Sequence, residues 1–185
     1  IHLFLFGDNS KEELRQSLEE LFDQNAQGLV LDLRGNGGGY LQSAIDVASE
    51  FIVDGIVMYE EFGDGERTTY EARKGGIATD IPMVVLINEG SASASEIVAG
   101  AIQDRGRGVL VGMKSFGKGS VQVPTTLTNQ QGAVRITIAR WLTPEGRTIH
   151  ALGLEPDFVV EISEEDRLQG IDTQLDKAIE IIFSQ

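Results

Sequence analysis

The sequence predicts an α/β domain with a mixed β-sheet core and flanking helices. Three observations carry that prediction. Short apolar runs rich in branched residues recur along the chain, as in GLVLDLR at 28–34, MVVLIN at 83–88 and GVLVG at 108–112, and runs of this length read as buried strands. Between them lie segments with apolar residues at helical spacing. The length, 185 residues, suits one domain able to close a core without disulfides or metal, so residues 1–185 are read as a single unit.

Taken in order, IHLFLF at 1–6 is read as the first strand. Ser10-Lys11-Glu12-Glu13 matches a capping box, and Leu14, Leu18, Leu21 and Phe22 follow on one helical face. GLVLDLR is the second strand and runs into the loop Gly35-Asn36-Gly37-Gly38-Gly39, after which Leu41, Ile45, Ala48 and Ile52 mark the next helix. Residues 56–61 and 67–72 flank FGDGE, whose Gly63-Asp64-Gly65 supplies the turn of an antiparallel hairpin. RKGGIATDIP is then a surface loop. MVVLIN is a buried strand, SEIVAGAIQD the helix behind it, and GVLVG a further strand. SVQVPTTL and GAVRITIAR alternate like paired strands around the turn NQQG. DFVVEIS is read as the last strand, DTQLDKAIEIIF as the last helix, and the charged EISEEDR as a solvated connection.

Composition removes several classes of function. Fifteen basic against 29 acidic residues give a net charge of −14, which disfavours a grip on nucleic acid or on an anionic membrane surface. With no cysteine there is no thiolate zinc site and no cysteine nucleophile. His2 and His150 stand apart from any ligand-spaced cluster, so both are read as structural and neither a metal nor an organic cofactor is expected. The longest apolar runs, such as IPMVVLI, fall far short of the roughly 20 residues of a transmembrane helix. The chain opens on an apolar segment with no initiator methionine or signal peptide, and is expected to be cut from a longer protein.

Chemistry is concentrated in GSASASE at 90–96, three serines between a strand and a helix. A helix N-terminus offers unpaired N–H groups and the positive end of the macrodipole, where an oxyanion is stabilised and a serine nucleophile gains. The same residues also serve a plainer purpose: Ser93-Ala94-Ser95-Glu96 spells an S-x-x-E capping box. A serine nucleophile needs a base, and neither histidine is placed beside Ser93 by the sequence. Lysine serves where a desolvated site leaves it neutral. Lys114 and Lys118 flank SFG in GMKSFGKGSVQ, and Lys118, held between Gly117 and Gly119, can lie close against other backbone.

Two motif matches in that segment fail on context. Gly112-x-x-x-x-Gly117-Lys118 lacks the serine or threonine of a P-loop, having Gly119 there, and a strand-like segment follows where a helix should begin. Ser115-x-x-Lys118 requires a helical turn that the surrounding glycines oppose.

In sum the chain resembles the carboxyl-terminal processing, or tail-specific, proteases, a family of serine/lysine-dyad peptidases. The likeness is carried by GLVLDLRGNGGG at 28–39, NEGSASASEIVAGAIQD at 88–104, GMKSFGKGSVQ at 112–122 and GLEPDFVV at 153–160, in the family's order. It implies a ClpP/crotonase-like catalytic core with Ser93 as nucleophile, Lys118 as base, and the N–H groups of Ala94 and Gly39 as oxyanion hole. Gln122 matches a residue that positions the lysine in some members; it reads equally as an ordinary strand glutamine. Ser91 and Ser95 become capping or packing residues, and Lys114 a solvated lysine. Where the family often has proline before its paired glycines, this chain has Gly37. The resemblance further implies protein or peptide substrates with accessible C-termini, an acyl-enzyme intermediate, and a setting in the bacterial periplasm, cell envelope or plastid lumen. Members commonly carry a covalently linked PDZ domain, which these residues lack. The rival expectation is a peptide-binding scaffold that keeps the fold without hydrolysis; a crotonase-type acyl-CoA enzyme has no need of the Ser93 and Lys118 pair.

Overall fold

The computed structural model describes residues 1–128 and 131–184. Its elements are α1 (Ser10–Asp23), β1 (Leu29–Asp32), α2 (Leu41–Ser49), β2 (Ile56–Phe62), β3 (Arg67–Glu71), β4 (Met83–Ile87), α3 (Ala94–Asp104), β5 (Val109–Gly112), β6 (Ser120–Thr126), β7 (Ala133–Leu142), β8 (Phe158–Val159), α4 (Glu164–Gln169) and α5 (Thr173–Ser184). Parallel and antiparallel strands are both present, as an α/β fold with a mixed core requires. They are divided between two four-stranded sheets, a parallel one ordered β1-β4-β5-β8 and an antiparallel one ordered β3-β2-β7-β6.

The parallel sheet is covered on both faces. Met83, Val85 and Ile87 of β4 point into a core shared with α1, α2 and α3, while Val84 and Leu86 meet Ala178, Ile181 and Ile182 of α5. Every residue of β4 is therefore buried, and this is why its sequence is a continuous apolar run rather than an alternation. β6 and β7 form a long ribbon beyond that core, and most of their residues are exposed. The expected NQQG turn includes Asn129 and Gln130, which lie outside the described residues.

Several local expectations are corrected. Residues 1–6 form no strand: only isolated bridges, His2 to Asp32 and Phe6 to Gly39, tie them to the sheet, and Phe4 and Leu5 stay exposed. The expected capping box at Ser10 does not form, because Ser10 lies inside α1 and its hydroxyl donates to the Leu5 carbonyl while accepting the Gly7 N–H. β8 is two residues long. The connection read as solvated contains α4, whose Ser163 cap accepts the Asp166 N–H.

Candidate active site

Ser93 occupies the corner between β4 and α3 in a conformation with φ 57° and ψ −114°. A positive φ is uncommon for a residue with a side chain and costs on the order of 1–3 kcal/mol, and such strain gathers at functional sites. The neighbouring serines fasten this corner to the glycine loop after β1. Ser91 donates its hydroxyl to the Leu33 carbonyl and accepts the Asn88 N–H. Ser95 donates to the Asn36 carbonyl at 2.8 Å. Both therefore hold structure together, as the sequence suggested.

The glycine loop is organised by a residue that sequence reasoning passed over. Asn36 is fully buried; its amide donates to the Leu3 carbonyl, and its side-chain oxygen accepts the Gly38 N–H. Gly38, at φ 102°, packs so closely that a Cβ there would lie 2.8 Å from Ser93 Cβ and 3.0 Å from the Ala94 nitrogen. Gly39, at φ 153°, lies against the Phe6 carbonyl. Its carbonyl-side neighbour Tyr40 donates to Phe6, whereas the N–H groups of Gly39 and Ala94 donate to no other described residue. Ala94 follows the serine directly and Gly39 belongs to the loop whose Gly38 packs on it; unclaimed donors of this kind are a prerequisite for an oxyanion hole.

On the other side of the corner the segment after β5 folds back over α3. Glu96, fully buried in the first turn of that helix, meets it there. Its Oε2 accepts the N–H of Ser93 at 2.8 Å and of Lys118 at 2.9 Å, so both backbones lie one hydrogen-bond length from the same oxygen. Its Oε1 accepts the Ser115 hydroxyl at 2.6 Å and the Gly117 N–H at 2.7 Å. The S-x-x-E spelling had marked Glu96 as a local cap; its links to residues 115–118 depend on a loop some twenty positions away. Gly119 packs on the backbone of His150, and Gly117 accepts the Ala151 N–H.

The side chain of Lys118 does not meet the expectation of a desolvated base. It is exposed and makes no ion pair among the described residues. The flanking glycines bury the backbone of this loop and leave its side chain outside. Gln122 is also exposed, on β6 opposite Thr137 beside a register shift, with no side-chain hydrogen bond to a described residue. His2 and His150 are exposed and make no hydrogen bond to the serine corner. Lys114 pairs with Glu155 at the surface. A concavity of about 950 Å³ opens at the carboxyl ends of the parallel strands and is lined by Arg34, Asn88, Lys114 and Ser115 but by neither Ser93 nor Lys118. Hydrogen-bond geometry, not cavity size, marks the candidate site.

A family model described as peptidase family S41 matches residues 1–160. The chain belongs to peptidase family S41. Among its relatives, a carboxyl-terminal-processing protease of a Synechocystis species is 41% identical over 185 residues, covering 98% of this chain and 43% of that protein. A chloroplastic C-terminal processing peptidase of Tetradesmus obliquus is 39% identical over 161 residues, 87% of this chain and 34% of that one. The solved structure of a photosystem II D1 C-terminal processing protease superposes with a TM-score of 0.82 at 38% identity, over 86% of this chain and 41% of that chain. The chain thus spans less than half the length of these relatives.

Proposed function

We propose that the chain is the catalytic core of a serine endopeptidase that cleaves proteins near their C-termini through a Ser93/Lys118 dyad. The observation that carries the proposal is Ser93, at positive φ at the head of α3, sharing one Glu96 oxygen with the Lys118 backbone and packed against the glycine loop, with the N–H groups of Gly39 and Ala94 making no hydrogen bond to another described residue. The Lys118 amine takes the Ser93 proton as Oγ attacks the scissile carbonyl, and the two N–H groups receive the oxyanion. The lysine then gives the proton to the departing amine, leaving an acyl-enzyme that water hydrolyses. Gln122 is assigned to steering the lysine from β6.

The exposure of Lys118 favours one alternative, a peptide-binding scaffold that has the fold without turnover. In the peptidase reading the bound peptide itself covers the amine and strips its water. A linked PDZ domain and an extracytoplasmic setting, in a bacterial envelope or a plastid lumen, complete the proposal; the relatives include cyanobacterial and chloroplastic processing proteases. The test is cleavage of an unstructured peptide with an apolar C-terminus, read by mass spectrometry, for the parent, Ser93→Ala and Lys118→Ala. Cleavage by the parent alone supports the dyad. Equal cleavage by all three removes it, and silence from all three, in this chain and in a longer protein containing it, leaves the scaffold.

A further inference from the structure

Ser115 has two partners and no place in the chemistry just described. Its hydroxyl is buried, donates to Glu96 Oε1 at 2.6 Å and accepts the Leu154 N–H at 2.7 Å, while its backbone N–H donates to the Leu154 carbonyl. Glu96 in turn receives four donors, the full acceptor capacity of an ionised carboxylate. Three come from the 115–118 segment and the fourth is the Ser93 N–H. Among these contacts the Ser115 hydroxyl is the one that also reaches residues 149–154, the loop against which Gly117 and Gly119 are packed.

From this we infer that Ser115 is a positioning residue which, through Glu96, fixes where Lys118 stands relative to Ser93. The inference rests on the dyad proposed above. Charge-assisted hydrogen bonds to a carboxylate are short and directional, and here one carboxylate holds the nucleophile corner and the lysine loop by their backbones. Without the Ser115 hydroxyl, Glu96 Oε1 keeps only the Gly117 N–H, and the buried Leu154 N–H loses its acceptor. The carboxylate then keeps three donors in place of four, and the Lys118 loop is held less tightly against it.

The experiment is the rate at which a small serine-directed electrophile, a fluorophosphonate, labels Ser93, measured by intact mass with the melting temperature recorded alongside. A small electrophile bypasses substrate delivery and reports on the serine and its base alone. The parent, Ser115→Ala, Lys118→Ala and the double variant form a cycle. Misplacing a reacting group by about 1 Å costs roughly 100-fold, so Ser115→Ala is expected to label 10- to 100-fold more slowly at a temperature where it is fully folded. In the Lys118→Ala background the same substitution should change nothing, because there is no lysine left to position. Glu96→Gln, nearly isosteric, repeats the measurement if Ser115→Ala folds poorly, and should be slowed alike. Equal labelling of the parent and Ser115→Ala overturns the inference. So does an equal slowing in both backgrounds, which is what a purely structural role gives. A parent that is labelled elsewhere or not at all overturns the dyad itself, and the inference with it.

Discussion

Ser93 holds its backbone in a region that glycine adopts freely and a serine does not. Ser93→Gly is therefore expected to raise the melting temperature above that of Ser93→Ala, by relieving strain on the order of 1 kcal/mol, while both variants lose serine labelling. Calorimetry on the pair checks it, and an Ala variant as stable as the Gly variant counts against strain at this corner. Two positions in the glycine loop behave oppositely. Gly37 has open space around it and no positive φ, so Gly37→Ala should stabilise by about 0.4–1 kcal/mol through the unfolded chain and leave labelling intact. Gly38 faces Ala92, Ser93 and Ala94 at contact distance, so Gly38→Ala should lower both stability and labelling. Ser93, Lys118 and the glycines were legible in the sequence as candidates, since each lies in a short contiguous motif. The reach of Glu96 and Ser115 was not, because hydrogen bonds between segments twenty or more positions apart leave no local pattern.

At the scale of elements, burial on both faces made β4 the easiest strand to read, and it fixes the cost of damaging it. Leu86 of β4 is fully buried against α5; Leu86→Ala is expected to cost about 2–5 kcal/mol in chemical denaturation, with the loss focused on the docking of α5. A cost under about 1 kcal/mol would mean that α5 contributes little to holding the sheet. The elements that sequence reasoning misjudged share a different property. IHLFLF has the composition of a strand, yet it joins the sheet by isolated bridges and leaves Phe4 and Leu5 outside. α4 buries no residue at all, so no apolar periodicity announced it. The split into two sheets depends on pairings between distant strands, such as β2 with β7, which local patterns do not encode.

The molecule as a whole is clamped by an ion cluster at the carboxyl end of β1. Arg34 bonds Asp32 and, through both terminal nitrogens, Asp172 at the head of α5. The Arg34 hydrogen bond holds the Asp172 carboxyl below its ordinary value of 3.8. A carboxyl depressed in the folded state stabilises the protein above its unfolded value, and that share is lost as pH falls through the folded one. Asp172→Asn should therefore be less stable than the parent near neutrality, with the two denaturation curves converging as the pH is taken below 3.8. Curves that stay parallel throughout would place the clamp elsewhere. The β6–β7 ribbon has a separate consequence. β4 amides, sealed between two helical layers, are expected to exchange with deuterium only when the whole domain opens, and those of the exposed ribbon through small local openings. Lys118 stands two residues before that ribbon, and Ser93 immediately before α3, which covers one face of the parallel sheet. The two residues of the proposed dyad therefore adjoin parts of the molecule expected to open at different rates, and deuterium uptake at 120–126 is expected to run ahead of uptake at 83–87 by orders of magnitude.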